Sequence, residues 1–225
     1  MPLKKNDFIE IEFTAKTKDG EIFDSNVKSD LKKANLNTEA KPAIFALGEG
    51  MFLKGADDFL LGKEIGKYTI ELSPENAFGN RDSKLIQLIP MKIFREQRLN
   101  PIPGVMFNFD GRVAKVLSVS GGRVIADFNN PIAGKSVVYE VNILRKVDDE
   151  NEKVRSLMDF LFRRIFDFEI KDKKIIAKAE KNFVKFLELF KDKFKDILGL
   201  ELEVLEEKKE AENTLGKIDN EITSG

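Results

Sequence analysis

The sequence predicts an α+β protein laid out in three successive stretches, and three observations lead to that reading. Apolar and polar residues alternate with period two in short runs up to residue 144, as half-buried strands require. Asp-Gly and Gly-Gly pairs fall between several of those runs, where tight hairpins need residues that accept positive φ. Beyond residue 151 the apolar residues instead recur three and four apart, the stripe of amphipathic helices.

In the first stretch, residues 8–15 alternate as a strand, Lys18-Asp19-Gly20 turns the chain, and residues 21–24 return as its hairpin partner. Residues 25–41 lack periodicity and read as a loop or a frayed helix. A short strand over 43–47 meets the turn Gly48-Glu49-Gly50. Residues 52–61 then form a short helix with apolar positions 52, 53, 56, 59 and 60, ended by Gly62. Residues 67–72 make another alternating strand. The second stretch holds strand patterns at 85–90, 105–109, 112–119 and 123–128, with Asp110-Gly111 and Gly121-Gly122 as hairpin turns. It predicts a compact all-β unit, followed by an apolar strand over 137–144 suited to the centre of a sheet. In the third, the acidic run 148–150 reads as a linker. Residues 152–168 form a helix, 168–179 two strands turning at Lys171-Asp172-Lys173, 181–198 one amphipathic helix and 201–205 a strand. These amount to a small α+β domain near the lower size limit for independent stability. The polar tail from about 207 reads as flexible.

Composition excludes much chemistry. The 225 residues contain no Cys and no His, so disulfides, thiolate nucleophiles, imidazole bases and Cys- or His-ligated metals are ruled out. Lys plus Arg number 38 against 39 Asp plus Glu, so no net field draws the chain to nucleic acid or to an anionic membrane. The start has lysines but no apolar stretch behind them, and the longest apolar runs are far short of a span. A soluble, cytoplasmic protein is the expectation.

Four short segments then carry a resemblance. Gly20-Glu21-Ile22-Phe23-Asp24-Ser25 is the first. The second is Phe45-Ala46-Leu47-Gly48-Glu49-Gly50-Met51-Phe52-Leu53-Lys54-Gly55 and the third Leu72-Ser73-Pro74-Glu75-Asn76-Ala77-Phe78-Gly79. Asn130-Pro131-Ile132-Ala133-Gly134-Lys135, running into the strand with Tyr139, is the fourth. In this order residues 3–147 resemble FKBP-type peptidyl-prolyl cis/trans isomerases, above all the SlyD-like branch and its long archaeal members. The resemblance implies an antiparallel sheet wrapped on a short helix. It also implies that the unit between Gly79 and Val138 is an insert-in-flap domain. The isomerase domain would then be discontinuous, 1–84 plus 130–150, with the insert over 85–129 and a C-terminal domain over 151–225.

Carried over position by position, the resemblance places Phe13, Phe23, Asp24, Phe52, Leu53, Ala56, Phe78 and Tyr139 around a pocket for the proline ring. Asp24 would stand at its rim, and the Leu53 amide would face a substrate carbonyl. Read from the sequence alone, the aromatic residues are ordinary core and Asp24 a loop residue. Phe78 stands where the family usually has Tyr, Ala56 where it often has Trp, leaving room for Phe59, and Tyr139 where Phe is usual. In the insert, Ile86, Leu88, Ile89, Met91, Ile93, Phe94, Met106 and Phe107 are the candidates for client contact, with core packing as the competing reading. The implied partners are unfolded or nascent proline-containing polypeptides. No cofactor and no metal are implied, nor any nucleic-acid or membrane partner. The Phe-rich faces of 152–205 suggest a homodimer. A binding protein with weak isomerase activity is the alternative to an enzyme.

Overall fold

The structure, a computed structural model, describes residues 1–109 and 111–207. Asp110 of the predicted turn and the tail beyond 207 lie outside the described residues. The chain divides into two compact units, Met1–Ser156 and the part from Leu157 onward.

The first unit runs β1 (Phe8–Thr17), β2 (Ile22–Ser25), α1 (Lys28–Lys33), β3 (Ala43–Ala46), α2 (Lys54–Leu60), β4 (Lys67–Leu72), β5 (Ile86–Pro90), α3 (Met91–Glu96), β6 (Met106–Phe109), β7 (Arg112–Ser120), β8 (Arg123–Asp127) and β9 (Val137–Lys146), and reaches α4 (Glu150–Phe162). A five-stranded antiparallel sheet is ordered β2-β1-β9-β4, with β3 pairing the other half of β1. β1 and β9 pair along almost their whole length because their alternations match. Ile11, Phe13 and Ala15 face Ile143, Val141 and Tyr139 on the side that α2 covers with Ala56 and Leu60. Burying that face is what fixes the register, since a one-residue slip would turn every apolar side chain outward.

β5 to β8 form a separate antiparallel sheet in the order β5-β8-β7-β6. Gly121 and Gly122 both have positive φ (56° and 73°), so β7 and β8 join through a two-residue turn whose twist suits a hairpin. This unit is not all-β. α3 lies against one face of the sheet and contributes Phe94, which is wholly buried with Val116 and Val124. A lone sheet cannot hide an apolar face, so a second layer is required.

Side chains hold together the two segments that lead into and out of this sheet. The Asp82 amide donates to Asn129 Oδ1 (2.8 Å) and Asn129 Nδ2 returns a bond to the Asp82 carbonyl (3.0 Å), imitating a strand pair. Arg81 binds the Asp127 carboxylate, and the Gly134 amide donates to the Gly79 carbonyl (2.8 Å). Burial alone would raise the Asp127 carboxyl, but the Asn129 amide and side chain and Arg81 outweigh it and hold it below the usual range.

The acidic run 148–150 is a helix start rather than a linker. Asp149 accepts the Glu152 amide (2.9 Å) at the head of α4, and Arg145 joins Glu152 to Glu10 on β1.

The second unit contains β10 (Asp167–Lys171), β11 (Lys174–Ala179), α5 (Lys181–Glu188), α6 (Lys191–Leu198) and β12 (Glu201–Glu206). β10 and β11 are antiparallel, whereas β11 and β12 are parallel and joined by the helical crossover. The single helix expected over 181–198 is two. The Leu189 and Phe190 amides bond only three residues back, to Phe186 and Leu187, and the helix breaks there. One unbroken helix of that length would run about 27 Å. The six-residue strands it must cross are only about 20 Å long.

Candidate active site

Aromatic side chains gather where the inner face of the five-stranded sheet meets the loop entering α2. Phe13 on β1 stacks near Tyr139 on β9 (ring centroids 6.0 Å) and meets Phe52 edge-on (5.2 Å). Phe52 also stands edge-on to Tyr139 (5.8 Å) and stacks on Phe45 (5.0 Å). Phe23 on β2 bridges Tyr139 (6.2 Å) to Phe78 (5.6 Å), both edge-on. These are the favourable arrangements of aromatic quadrupoles. Phe13 and Tyr139 are buried, while Phe23, Phe52 and Phe78 are only partly so. The result is an apolar floor with an open rim of ring edges.

Polar groups hold the floor in place. Asn26, just past β2, accepts the Phe13 amide (2.7 Å) and donates to the Ile11 carbonyl (3.0 Å), while its own amide donates to the Phe13 carbonyl (3.2 Å). The buried side chain thus extends the β1–β2 ladder past its last strand residue, in a register that sets Asp24 directly across from Ala15. On α2, the buried Asp57 accepts the amides of Gly48 (2.8 Å) and Gly50 (3.2 Å), closing the turn that leads to Phe52. Gly55 lets α2 approach the segment before Phe78. A Cβ there would collide with the Asn76 carbonyl and lie 2.9 Å from the Leu72 side chain.

Charge in the site is sparse. Asp24 lies exposed at the edge of the cluster, and partial burial holds its carboxyl above the ordinary value against the opposing Ser25 amide. Burial, and then the charge of Asp24, push the Tyr139 phenol well above its usual range, so it stays protonated. Its hydroxyl has no hydrogen-bond partner among the described residues and remains available as a donor. Among the described residues, no group of three acidic side chains is placed to hold a metal ion.

The predicted pocket residues therefore largely come together, with corrections. Ala56 is wholly buried beneath the rings, so its side chain presents no surface to a ligand. Phe59 does not fill the space beside it; its ring turns away to Tyr68 (6.2 Å) and Lys63. Leu53 heads α2, where its carbonyl accepts the Ala56 and Asp57 amides (both 2.9 Å). Phe45, Asn26 and Asp57 also belong to the site, although the sequence pattern alone does not assign them to it. Asp57 does stand out, because a carboxylate at 57 falls among the apolar positions 53, 56 and 60 of the helix stripe.

The candidate client-contact residues of the insert separate into two groups. Phe94 is fully buried, and Ile89, Met91 and Phe107 pack against it, so these serve the core. For Phe94 this overturns the expected contact role. Leu88 (56% exposed), Met106 (53%), Ile86 and Ile93 face solvent.

A family model for FKBP-type peptidyl-prolyl cis-trans isomerase matches residues 2–95, and another, described as FKBP26, IF domain, matches 87–132. The chain belongs to the FKBP-type peptidyl-prolyl cis-trans isomerases. It is 28% identical to a short-type peptidyl-prolyl cis-trans isomerase of Methanocaldococcus jannaschii, over 63% of this chain and 92% of that one. It is 29% identical to an FKBP-type 16 kDa peptidyl-prolyl cis-trans isomerase of Escherichia coli, over 63% and 92% of the two chains. To the FKBP-type isomerase SlyD of Treponema pallidum it is also 29% identical, over 64% of this chain and 78% of the other. Antiparallel sheets with few helices fit an FKBP fold carrying such an insert. Among the described residues, no helix is long and apolar enough to cross a membrane.

Proposed function

We propose that this FKBP-type chain isomerises X–Pro bonds of unfolded or partly folded polypeptides on the aromatic floor of Phe13, Phe23, Phe52 and Tyr139. Phe78, Asp24 and the Leu53 amide stand at the rim. The convergence of these rings from three strands and a loop is the observation that carries the reading. Rotation about an X–Pro bond needs no proton transfer and no covalent intermediate; its barrier, about 20 kcal/mol, is the loss of amide resonance. A twisted amide is less polarised than a planar one and loses less on leaving water, so an apolar floor favours it over the ground state. The proline ring supplies the shape that the rings grip. The free Tyr139 hydroxyl offers one donor to the substrate, standing in for the hydroxyl that Phe78 lacks. Asp24 is best placed to orient polar groups at the rim rather than to accept a proton.

In this reading the isomerase domain comprises 1–84 and 130–150, interrupted by a client-binding insert over 85–129. Its solvent-facing aliphatic residues are Ile86, Leu88, Ile93 and Met106. A C-terminal domain follows, through which two copies associate. Most of its phenylalanines already pack on one another around Phe162 and Phe194, leaving Phe186 and Leu189 (79% exposed) as the contact. A cytoplasmic location completes the proposal.

Proline-limited refolding, read beside isomerisation of a tetrapeptide, tests it. Asp24→Ala combined with Phe78→Ala, both at the rim, should lower kcat/KM at least about tenfold on both substrates, a loss of about 1.4 kcal/mol of transition-state stabilisation. Unchanged rates would remove the pocket assignment.

A further inference from the structure

The insert's outer sheet face carries a pattern that the isomerase site does not use. Leu88 on β5 lies directly across from Ile125 on β8, and both are exposed. Along β8, Arg123 sits two residues before Ile125 on the same face. Two residues after it comes Asp127, whose cross-strand neighbour on β7 is Lys115. An exposed aliphatic pair is thus flanked on both sides by a cation.

Neither Lys115 nor Arg123 forms an ion pair among the described residues. The one acid on this face, Asp127, is already engaged by Arg81 and Asn129. The imbalance is local: residues 85–129 hold six Lys and Arg against three Asp and Glu, although the whole chain is almost neutral.

We propose that this face takes extended client segments with an acidic residue, an apolar residue and another acidic residue at positions i, i+2 and i+4. The inference rests on the client-binding reading of the insert and names the class of segment it selects. In an extended chain those side chains share one face, and i to i+4 spans about 13 Å, the separation of the Arg123 and Asp127 levels along β8. The apolar residue then lies on Leu88 and Ile125, while each carboxylate meets one cation. Such rim contacts add modest affinity but discriminate against segments whose charges are basic.

The experiment uses the full chain and short proline-free peptides, so that the isomerase pocket contributes nothing. One peptide carries Glu, Leu and Glu at i, i+2 and i+4; a second replaces both Glu by Lys; a third moves both Glu to the opposite face. Fluorescence anisotropy at low salt should show the first bound about three- to tenfold more tightly than the others, with the difference shrinking at high salt. Lys115→Gln with Arg123→Gln should erase that ratio and leave tetrapeptide isomerisation intact, and unchanged hydrogen-exchange protection across residues 86–127 would show that the insert of the variant is folded. Leu88→Ser with Ile125→Ser should weaken all three peptides. Equal affinities, or a ratio that survives the double charge variant, would overturn the charge pattern while leaving client binding in place. No binding of any peptide would overturn both. Sedimentation showing that Leu88→Ser with Ile125→Ser dissolves a dimer would mean that a second copy covers the face, and would overturn the proposal too.

Discussion

The isomerase floor and the insert are built from similar materials and put them to opposite uses. Over the buried Phe13 and Tyr139, the rings of Phe23, Phe52 and Phe78 are left partly exposed at the rim. In the insert, Phe94, Phe107 and Phe109 close on one another at centroid distances of 5.2–6.4 Å, and the outward positions go to Leu88, Ile125 and Met106. Rings are stiff and geometrically demanding, which suits recognition of one object such as a proline ring. Aliphatic side chains and Met adapt to whatever lies on them, which suits unrelated chains. Under the proposed function, the exposed rings would select by shape and the exposed aliphatic side chains would tolerate varied apolar residues.

The hardest way to break this comparison is to remove the insert's own centre. Phe94→Ala should cost about 3–5 kcal/mol, more than a sheet of this size can spare. Hydrogen exchange should then accelerate across residues 86–127, while strands β1 and β9 and tetrapeptide isomerisation keep their wild-type behaviour. Loss of protection in β1 as well would show that the two regions fold as one.

Gly55→Ala attacks the other side. Its Cβ meets backbone at the Asn76 carbonyl, which yields less easily than a side chain. The expected cost is about 1–3 kcal/mol, with a fall in kcat/KM and unchanged binding of proline-free peptides. If peptide binding falls in parallel, the pocket and the insert face are not separable.

The smallest effect concerns Asp24. Its folded pKa is raised above the ordinary value of 3.8, so the folded state binds the proton more tightly than the unfolded one. Relative stability is therefore greatest at low pH and is lost as pH rises through the folded value. Asp24→Asn should stabilise the protein at neutral pH by less than about 1 kcal/mol, given the exposure of the group. The gain should vanish as pH falls towards 4. Thermal melts across that range give the test, and a gain that grows in acid would refute the burial argument.

Much of this was legible in the chain. The alternation of β1 and β9, the Gly121-Gly122 turn and the 167–179 hairpin are local matters of period and of glycine conformation, which neighbouring residues decide. The positions of Phe23, Phe52 and Phe78 were visible too, because each lies inside a contiguous motif. Other features were not. The break between α5 and α6 depends on the length of strand the crossover has to span, and the burial of Phe94 on the sheet face that α3 covers.

What the sequence by itself determined was most of the strands and their hairpin turns, and that no thiolate, imidazole or net charge would serve the chemistry. Only the tertiary structure decided which apolar residues stay open. It turned Phe94 inward and Leu88 outward, sank Ala56 beneath the rings, and set Asn26 and Asp57 as the props of Phe13 and Phe52. The reason is physical. Periodicity says which face of an element is apolar, but whether that face meets another element or water depends on partners far away in the chain.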